Sequence, residues 1–420
     1  MARLTETRLA ETLLSIPADS AMALRILVIS HTYIVDLNCE KLRVLATLEP
    51  GIEVTIVVPQ RWRPGGVQNR VIEPEPRQDG NFRVVPISNL SQNHQGLLCF
   101  GWGLVTLLRQ FRPQVIQVEQ GSRALAYAQV IFLNQLLGLG AKCFFFTWWN
   151  LPYSLKAPIA WLEAYNLRHT DGLVAGNQEA VAILRRQGYR KAARVMPQLG
   201  VDETLFCPQP QPQLAQALGI QPQEFVVGFV GRFVAEKGLR TLAQALEQVA
   251  DRPWKWLLLG RGELETELHQ WAEAAGLGDR LIWVESVPHH RVAQYLNLMQ
   301  VLVLPSETTY GFKTLTAVGW KEQFGHVLIE AMACGVPVIG SDSGEIPHVI
   351  GEAGLVFPEG KGTELADRLR LLMDQPDTAQ DWGQRGYQRC LSHYTNRALA
   401  QDLLRFYRDV VAGSAECQVS

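Results

Sequence analysis

Cysteine pairs at metal or redox spacing are missing from this chain. Its seven cysteines, Cys39, Cys99, Cys143, Cys207, Cys334, Cys390 and Cys417, are odd in number and scattered. None forms a CxxC pair and no histidine cluster joins them, which excludes a disulfide framework and a metal site and points to a reducing compartment. A strong net charge is missing too. At -2 the chain is no generally basic nucleic-acid binder, so no nucleic-acid partner is expected. A clean apolar leader is absent as well. Residues 1–21 carry Arg3, Glu6, Arg8, Glu11 and Asp19, and read as an N-terminal extension rather than a secretory signal. Two uncharged stretches, 89–108 and 124–141, approach the roughly 20 residues that span a bilayer. They hold polar residues such as Asn93 and Gln129 and fall where helices are needed between strands, so buried helices are expected. The localisation expected is cytoplasmic, with a peripheral place at the inner face of a membrane as the other option.

What is present is rhythm. Apolar residues make up 47% and charged residues 19% of 420, the composition of a globular chain with room for two or three domains. Short β-branched or aromatic runs alternate with amphipathic stretches: RILVIS (25–30), EVTIVV (53–58), FRVVPI (82–87), QVIQV (114–118), KCFFFT (142–147) and GLVAG (172–176). Prolines 197, 208, 210, 212 and 222 then interrupt the pattern. A second set follows: FVVGFVG (225–231), KWLLLG (255–260), RLIWV (280–284), VLVLP (301–305), VPVIGS (336–341) and AGLVF (353–357). The βαβ alternation predicts an α/β fold of two doubly wound domains with a cleft between them. The divisions expected are 22–205 and 206–395, then a C-terminal segment 396–420 with an amphipathic helix over about 396–412. Ligands of such sheets bind beyond the carboxyl ends of the strands.

Three constellations fall in those loops. In GRFVAEKG (231–238), between a strand and a helix, Arg232 and Lys237 can neutralise a diphosphate beside helix-start amides. Glu322 and Glu330 bracket EQFGHVLIE. If that stretch were all helical, the two carboxylates would stand about 12 Å apart, too far for an acid–base pair but suited to two separate hydroxyl-bearing groups. The amides of Gln323, Phe324 and Gly325 lie between them. The third, SDSGEIPHVIGEAGLVF (341–357), is a Gly-rich turn that fits a ligand rim or an ordinary connection.

The ordered set GRFVAEKG, LLLGRGE (257–263), VLVLPS (301–306), EQFGHVLIEAMACGVPVIGSDSGEIPHVI and GLVFPEG (354–360), with VMPQLGVDETLF (195–206) upstream, resembles the retaining glycosyltransferases of family 4, which have the GT-B fold of two facing Rossmann-like domains. The resemblance implies that Arg232 and Lys237 hold the donor diphosphate. Glu330 would accept hydrogen bonds from ribose hydroxyls, and Glu322 with the amides of Phe324 and Gly325 would orient the sugar. Val327 would offer its amide to a phosphate. Glu322, Arg232 and Lys237 are the implied catalytic set. The donor is a nucleotide-diphosphate sugar, UDP- or GDP-linked, and neither a separate cofactor nor a metal is expected.

Three departures stand out. Residues 307–321 (ETTYGFKTLTAVGWK) exceed the few found in many relatives, and form either a specificity element or an inert insertion. The first half has SHTYIVDLN (30–38) in place of a Gly-rich turn, and WWNLPY lacks the histidine some relatives place near the reacting centre. Glu119, Trp149 and Asn150 at strand ends are the acceptor candidates. The acceptor expected is a carbohydrate or lipid-linked precursor of a surface polysaccharide or glycolipid. A small soluble acceptor, an inactive partner subunit and a nucleotide-sugar epimerase are the alternatives. Residues 1–200 hold 21 Lys/Arg against 14 Asp/Glu, the remainder 18 against 27. That asymmetry and the loop QRWRPGG (60–66) suit peripheral contact with an anionic membrane, or are ordinary surface variation.

Overall fold

A computed structural model describes residues 24–64, 70–313 and 317–413. The extension 1–21 with Met22 and Ala23, Gly65 and Gly66 of the QRWRPGG loop, 314–316 of the insertion and 414–420 of the C-terminal segment lie outside the described residues. The first sheet contains β1 (Leu24–Ile29), β2 (Ile52–Pro59), β3 (Arg77–Asp79), β4 (Phe82–Ile87), β5 (Val115–Val118), β6 (Lys142–Thr147), β7 (Gly172–Ala175) and β8 (Ala192–Val195). Its order is β3-β4-β2-β1-β5-β6-β7-β8, parallel except for the β3–β4 edge pair. The second contains β9 (Phe225–Arg232), β10 (Trp254–Arg261), β11 (Leu281–Val284) and β12 (Val301–Leu304). After a separate antiparallel hairpin of β13 (Thr309–Lys313) and β14 (Val318–Trp320), it adds β15 (Val338–Ser341) and β16 (Leu355–Phe357), in the order β11-β10-β9-β12-β15-β16. Both sheets are doubly wound, and in each the winding reverses once: between β1 and β5, and between β9 and β12.

Strands buried on both faces explain the continuous apolar runs. Along β1, Leu27 and Ile29 enter one core cluster and Ile26 and Val28 the other. The first cluster lies under helices Trp102–Phe111, Leu125–Leu136 and Ile159–His169. The second lies under helix Glu40–Thr47 and, from the far end of the chain, helix Asn396–Ala412. Thr395 Oγ1 caps that last helix by accepting from the Ala398 amide at 3.1 Å, a contact that typically contributes about 1 kcal/mol. Its Tyr407 is fully buried, lies edge-on to Phe144 and donates its hydroxyl to Gln117 Oε1 at 2.8 Å. The C-terminal helix is therefore packed into the first domain's core.

The strands expected from the sequence are all present. The edge strands β3 and β8 and the hairpin are additional. They are short and largely polar or exposed, so no buried apolar run marks them. Residues 89–108 are only partly helical. Asn89 bridges Phe100, and helix starts at Trp102, because Gly96 and Gly101 disfavour an earlier start. No described helix is long and apolar enough to cross a membrane.

The chain crosses between domains at Val201 and again at Thr395. The crossings are bonded together, with the Val201 amide on the Tyr394 carbonyl (2.9 Å) and the Asn396 amide on the Val201 carbonyl (3.0 Å).

Candidate active site

The loops beside each winding reversal carry the polar clusters, as the carboxyl-end rule for open sheets requires. In the second domain these are the loops after β9 and β12. Gly238, at φ +67°, ends the turn Ala235–Lys237 and starts helix Leu239–Glu247. A Cβ there would stand 1.8 Å from the Pro305 carbonyl oxygen, so only glycine lets the two loops touch. That approach brings Lys237 Nζ to 2.5 Å from Glu322 Oε2, and Ser306 Oγ to 2.8 Å from the same oxygen. Glu322 is buried, and such a carboxylate needs this pairing. Trp320 places its ring 5.1 Å from the ammonium.

Glu322 does not share a helix with Glu330. Helix begins at His326, after Gly325 in the left-handed region (φ +85°), and Glu322 sits in the irregular turn before it. Phe324 is buried against Trp148 of the first domain. The helix has no side-chain cap, which leaves the His326 and Val327 amides without an intrahelical acceptor, while the Leu328 amide bonds the Gly325 carbonyl at 2.9 Å. Glu330 lies on the helix and accepts from His289 Nε2 at 3.0 Å. This hydrogen bond raises the His289 pKa. Arg232 is exposed, reaches Glu236 at 3.5 Å and stands in register beside Arg261 of β10. The Gly-rich turn after β15 braces the same centre. Ser341 Oγ donates to the Ser306 carbonyl at 2.5 Å, and a Cβ on Gly344 would meet the Glu322 carbonyl at 1.9 Å.

In the first domain the loops after β1, β5 and β6 enclose a cavity of about 350 Å³. His31, Glu119, Gln120, Arg123, Trp149 and Gln323 line it, so the residue next to Glu322 forms part of its wall. Glu119 is buried and accepts from Gln117 Nε2 and Gln198 Nε2, each at 2.7 Å. Burial lowers the His31 pKa to about 4, which makes the imidazole neutral near pH 7. Its Nδ1 and both side-chain polar atoms of Gln120 are buried without a partner among the described residues. Trp149 carries the Arg123 guanidinium over its ring at 4.7 Å. Beneath the cavity, Lys41 is buried, bonded to the Pro197 carbonyl (3.4 Å) and lowered to about 8 by burial, against the pull of Glu119.

Two first-domain residues are held by tertiary contacts away from this cavity. Asn150 is not in the cavity wall. Its amide donates to the Glu322 carbonyl at 3.1 Å, so it positions the donor-side turn across the cleft. Trp62 of QRWRPGG is buried and packs on His31 at 4.8 Å, because it bridges Ile72 instead of projecting from a loop. It offers nothing to a lipid surface. The 307–321 insertion is anchored at its base. Trp320 approaches Lys237, and Lys321 Nζ pairs with Glu179 of the first domain at 2.9 Å. The sequence reading passed over His31, Gln120, Ser306 and Arg261. All but Arg261 stand two residues after the end of a strand beside a winding reversal, and that position was the signal available.

Comparison with known proteins matches residues 43–198 to a model described as glycosyl transferase 4-like domain and residues 210–389 to one described as glycosyl transferases group 1. The chain is 31% identical over 234 residues to alpha-maltose-1-phosphate synthase of Mycolicibacterium smegmatis, covering 51% of this chain and 56% of that protein. It is 28% identical over 214 residues to N-acetyl-alpha-D-glucosaminyl L-malate synthase of Bacillus anthracis, covering 50% and 52%. It thus spans about half the length of the curated relatives it matches. Among solved structures, sucrose-phosphate synthase from Thermosynechococcus elongatus superposes with a TM-score of 0.64 at 20% identity, over 93% of this chain and all of that one. Anabaena HepE in complex with UDP gives 0.64 at 15% identity, over 92% and 100%. The fold is that of two facing Rossmann-like domains.

Proposed function

The chain belongs to the family 4 glycosyltransferases of GT-B fold, and on that premise we propose that it moves a hexose from a nucleotide-diphosphate sugar to a polysaccharide or glycolipid precursor, with retention of anomeric configuration and no metal ion. One observation carries this reading. The Lys237–Glu322–Ser306 cluster sits at the winding reversal of one sheet, and its neighbour Gln323 walls the cavity at the reversal of the other. A donor held by the first presents its sugar to an acceptor held by the second.

In this reading Arg232 and Lys237 take the diphosphate, with Arg261 beside Arg232. Glu330, oriented by His289, receives the ribose hydroxyls, and the Val327 amide meets a phosphate oxygen. Glu322 and the amides of Phe324 and Gly325 orient the hexose. The acceptor hydroxyl attacks C1 on the face from which the diphosphate departs. The C1–O bond to phosphate breaks, the new C1–O bond forms, and the acceptor proton passes to the departing phosphate oxygen. Positive charge grows on the ring and negative charge on the leaving group. Cations on the phosphates and the Glu322 carboxylate near the ring therefore stabilise the transition state more than the ground state. The side-chain cations occupy the place a metal ion would take on the diphosphate.

A small soluble acceptor is the second reading. The names of the two relatives point to small products, and the cavity volume lies at the lower end for small-molecule sites. Proton NMR of turnover mixtures decides. The protein is supplied with UDP-glucose or GDP-mannose and either a lipid-linked saccharide or free sugars and polyols. An α-linked product from one donor supports retention, and the productive acceptor separates the two readings. A β-linked product, turnover abolished by EDTA, or no turnover from folded protein that binds nucleotide would each defeat the proposal.

A further inference from the structure

The first domain presents an apolar face that its own fold leaves uncovered. Trp102 is 82% exposed, Trp161 72%, Leu136 66%, and Leu97, Phe132 and Ile159 are exposed as well. These residues belong to adjoining elements. Helix Leu125–Leu136 packs on helix Ile159–His169 and on the turn Gln95–Leu97. The Gln129 side chain also bonds both the amide and the carbonyl of Phe100 (2.9 and 2.6 Å), two residues before Trp102. The helices all cover the same side of the sheet, over the cluster that contains Leu27 and Ile29. Their inward residues fill that core, so the outward ones have no packing role.

Charge on this face runs one way. From residue 80 to 170 the chain has seven Lys and Arg but only two acidic residues, Glu119 and Glu163, and both are buried. Arg109, Lys156 and Arg168 are exposed and enter no ion pair among the described residues. The nearest acid on the next helix, Glu179, is held by Lys321 at 2.9 Å. Exposed tryptophan, phenylalanine and leucine framed by unpaired cations, with no exposed carboxylate among them, match a surface that is apolar beneath and anionic above. A protein partner of ordinary composition would not select for helices that carry no exposed acid.

We propose that the face formed by helices Trp102–Phe111, Leu125–Leu136 and Ile159–His169 docks on an anionic lipid bilayer, inserting Trp102, Trp161 and their apolar neighbours among the headgroups while Arg109, Lys156 and Arg168 meet lipid phosphates. Trp102, Ile159 and Trp161 lie at helix starts, hence on the rim beyond the strand ends. Gln95, two residues before exposed Leu97, also lines the 350 Å³ cavity. The docked face therefore adjoins the candidate acceptor cavity. The inference stands on exposure and charge alone and does not depend on which sugar is transferred.

Flotation of the full-length protein with vesicles tests it. With phosphatidylglycerol mixed into phosphatidylcholine the protein floats, with phosphatidylcholine alone it floats much less, and rising salt weakens the association. Trp102→Ser with Trp161→Ser lowers partitioning about tenfold or more, as does Lys156→Glu with Arg168→Glu. Both variants keep native circular dichroism and nucleotide affinity, since the altered side chains are exposed. Failure to float with anionic vesicles overturns the proposal, as does flotation equal in wild type and variants. A wild-type dimer in sedimentation that the tryptophan variant abolishes, without lipid binding, assigns the face to a second copy and overturns it too.

Discussion

On the second domain's side of the cleft, charged groups hold one another. Lys237 is on Glu322, Arg232 on Glu236 and His289 on Glu330. On the first domain's side the cavity wall is largely neutral, and it contains polar atoms with no partner, those of Gln120 and the His31 Nδ1. The two sides therefore ask different things of a ligand. A diphosphate entering the first site must compete with or bridge existing ion pairs, which only a highly charged group does well. A group entering the cavity must supply hydrogen bonds the protein lacks, and hydroxyls can do that. Buried polar atoms left unpaired discriminate strongly against a ligand without the matching group.

The sharpest break between the sides is expected from Lys237→Ala. Removing a cation that faces developing phosphate charge lowers kcat by about 10²- to 10³-fold, and acceptor KM changes little. Initial-rate kinetics with each substrate varied will show the split.

Glu345 tests the seam between the sides. It is buried and accepts from the Gln178 amide of the first domain at 3.0 Å. Burial raises its pKa from 4.5 to about 7. A carboxyl whose folded pKa exceeds the unfolded one binds its proton more tightly when folded. Its favourable contribution is thus complete below pH 4.5 and lost as pH rises toward 7. Glu345→Gln keeps the accepting oxygen without the charge. Urea melts should show a gain above neutral pH approaching roughly 3 kcal/mol, and almost none near pH 4.

Trp149→Ala removes the aromatic wall and should raise acceptor KM about tenfold through lost stacking, leaving donor affinity within about twofold. Gln120→Leu is expected to weaken the acceptor several-fold, by roughly 1 kcal/mol, with no loss of thermal stability because the side-chain amide makes no bond among the described residues. A drop in melting temperature would show that Gln120 holds the fold rather than the ligand.

The same contrast governs how much could be read from residues alone. Most of the donor side, apart from Arg261, His289 and Ser306, gathers in two short segments, Arg232 to Gly238 and Glu322 to Glu330, each attached to a strand or helix whose apolar pattern is plain. Lys237 and Glu330 could therefore be singled out before any coordinates, though not the bond from Lys237 to Glu322, which depends on the close approach of Gly238 to Pro305. The cavity is assembled from the loops after β1, β5 and β6 together with Gln323, and no short pattern records which of their side chains converge. The places of Trp62 and Asn150 were illegible for that reason. A buried bridge and a contact 172 residues away are tertiary facts. The exposed face of the first domain was hidden differently: its uncharged runs were visible, but which residues turn outward depends on how the helices pack.

The most direct test is a calorimetric titration of UDP and GDP into wild type, Arg232→Ala, Glu330→Ala and Trp149→Ala. One nucleotide should bind, the first two variants should weaken it about tenfold or more, and Trp149→Ala should bind it like wild type. If Trp149→Ala loses the nucleotide while Arg232→Ala and Glu330→Ala keep it, the assignment of donor and acceptor to the two sides is wrong. If no nucleotide binds the folded protein, the transferase reading gives way to that of an inactive partner subunit.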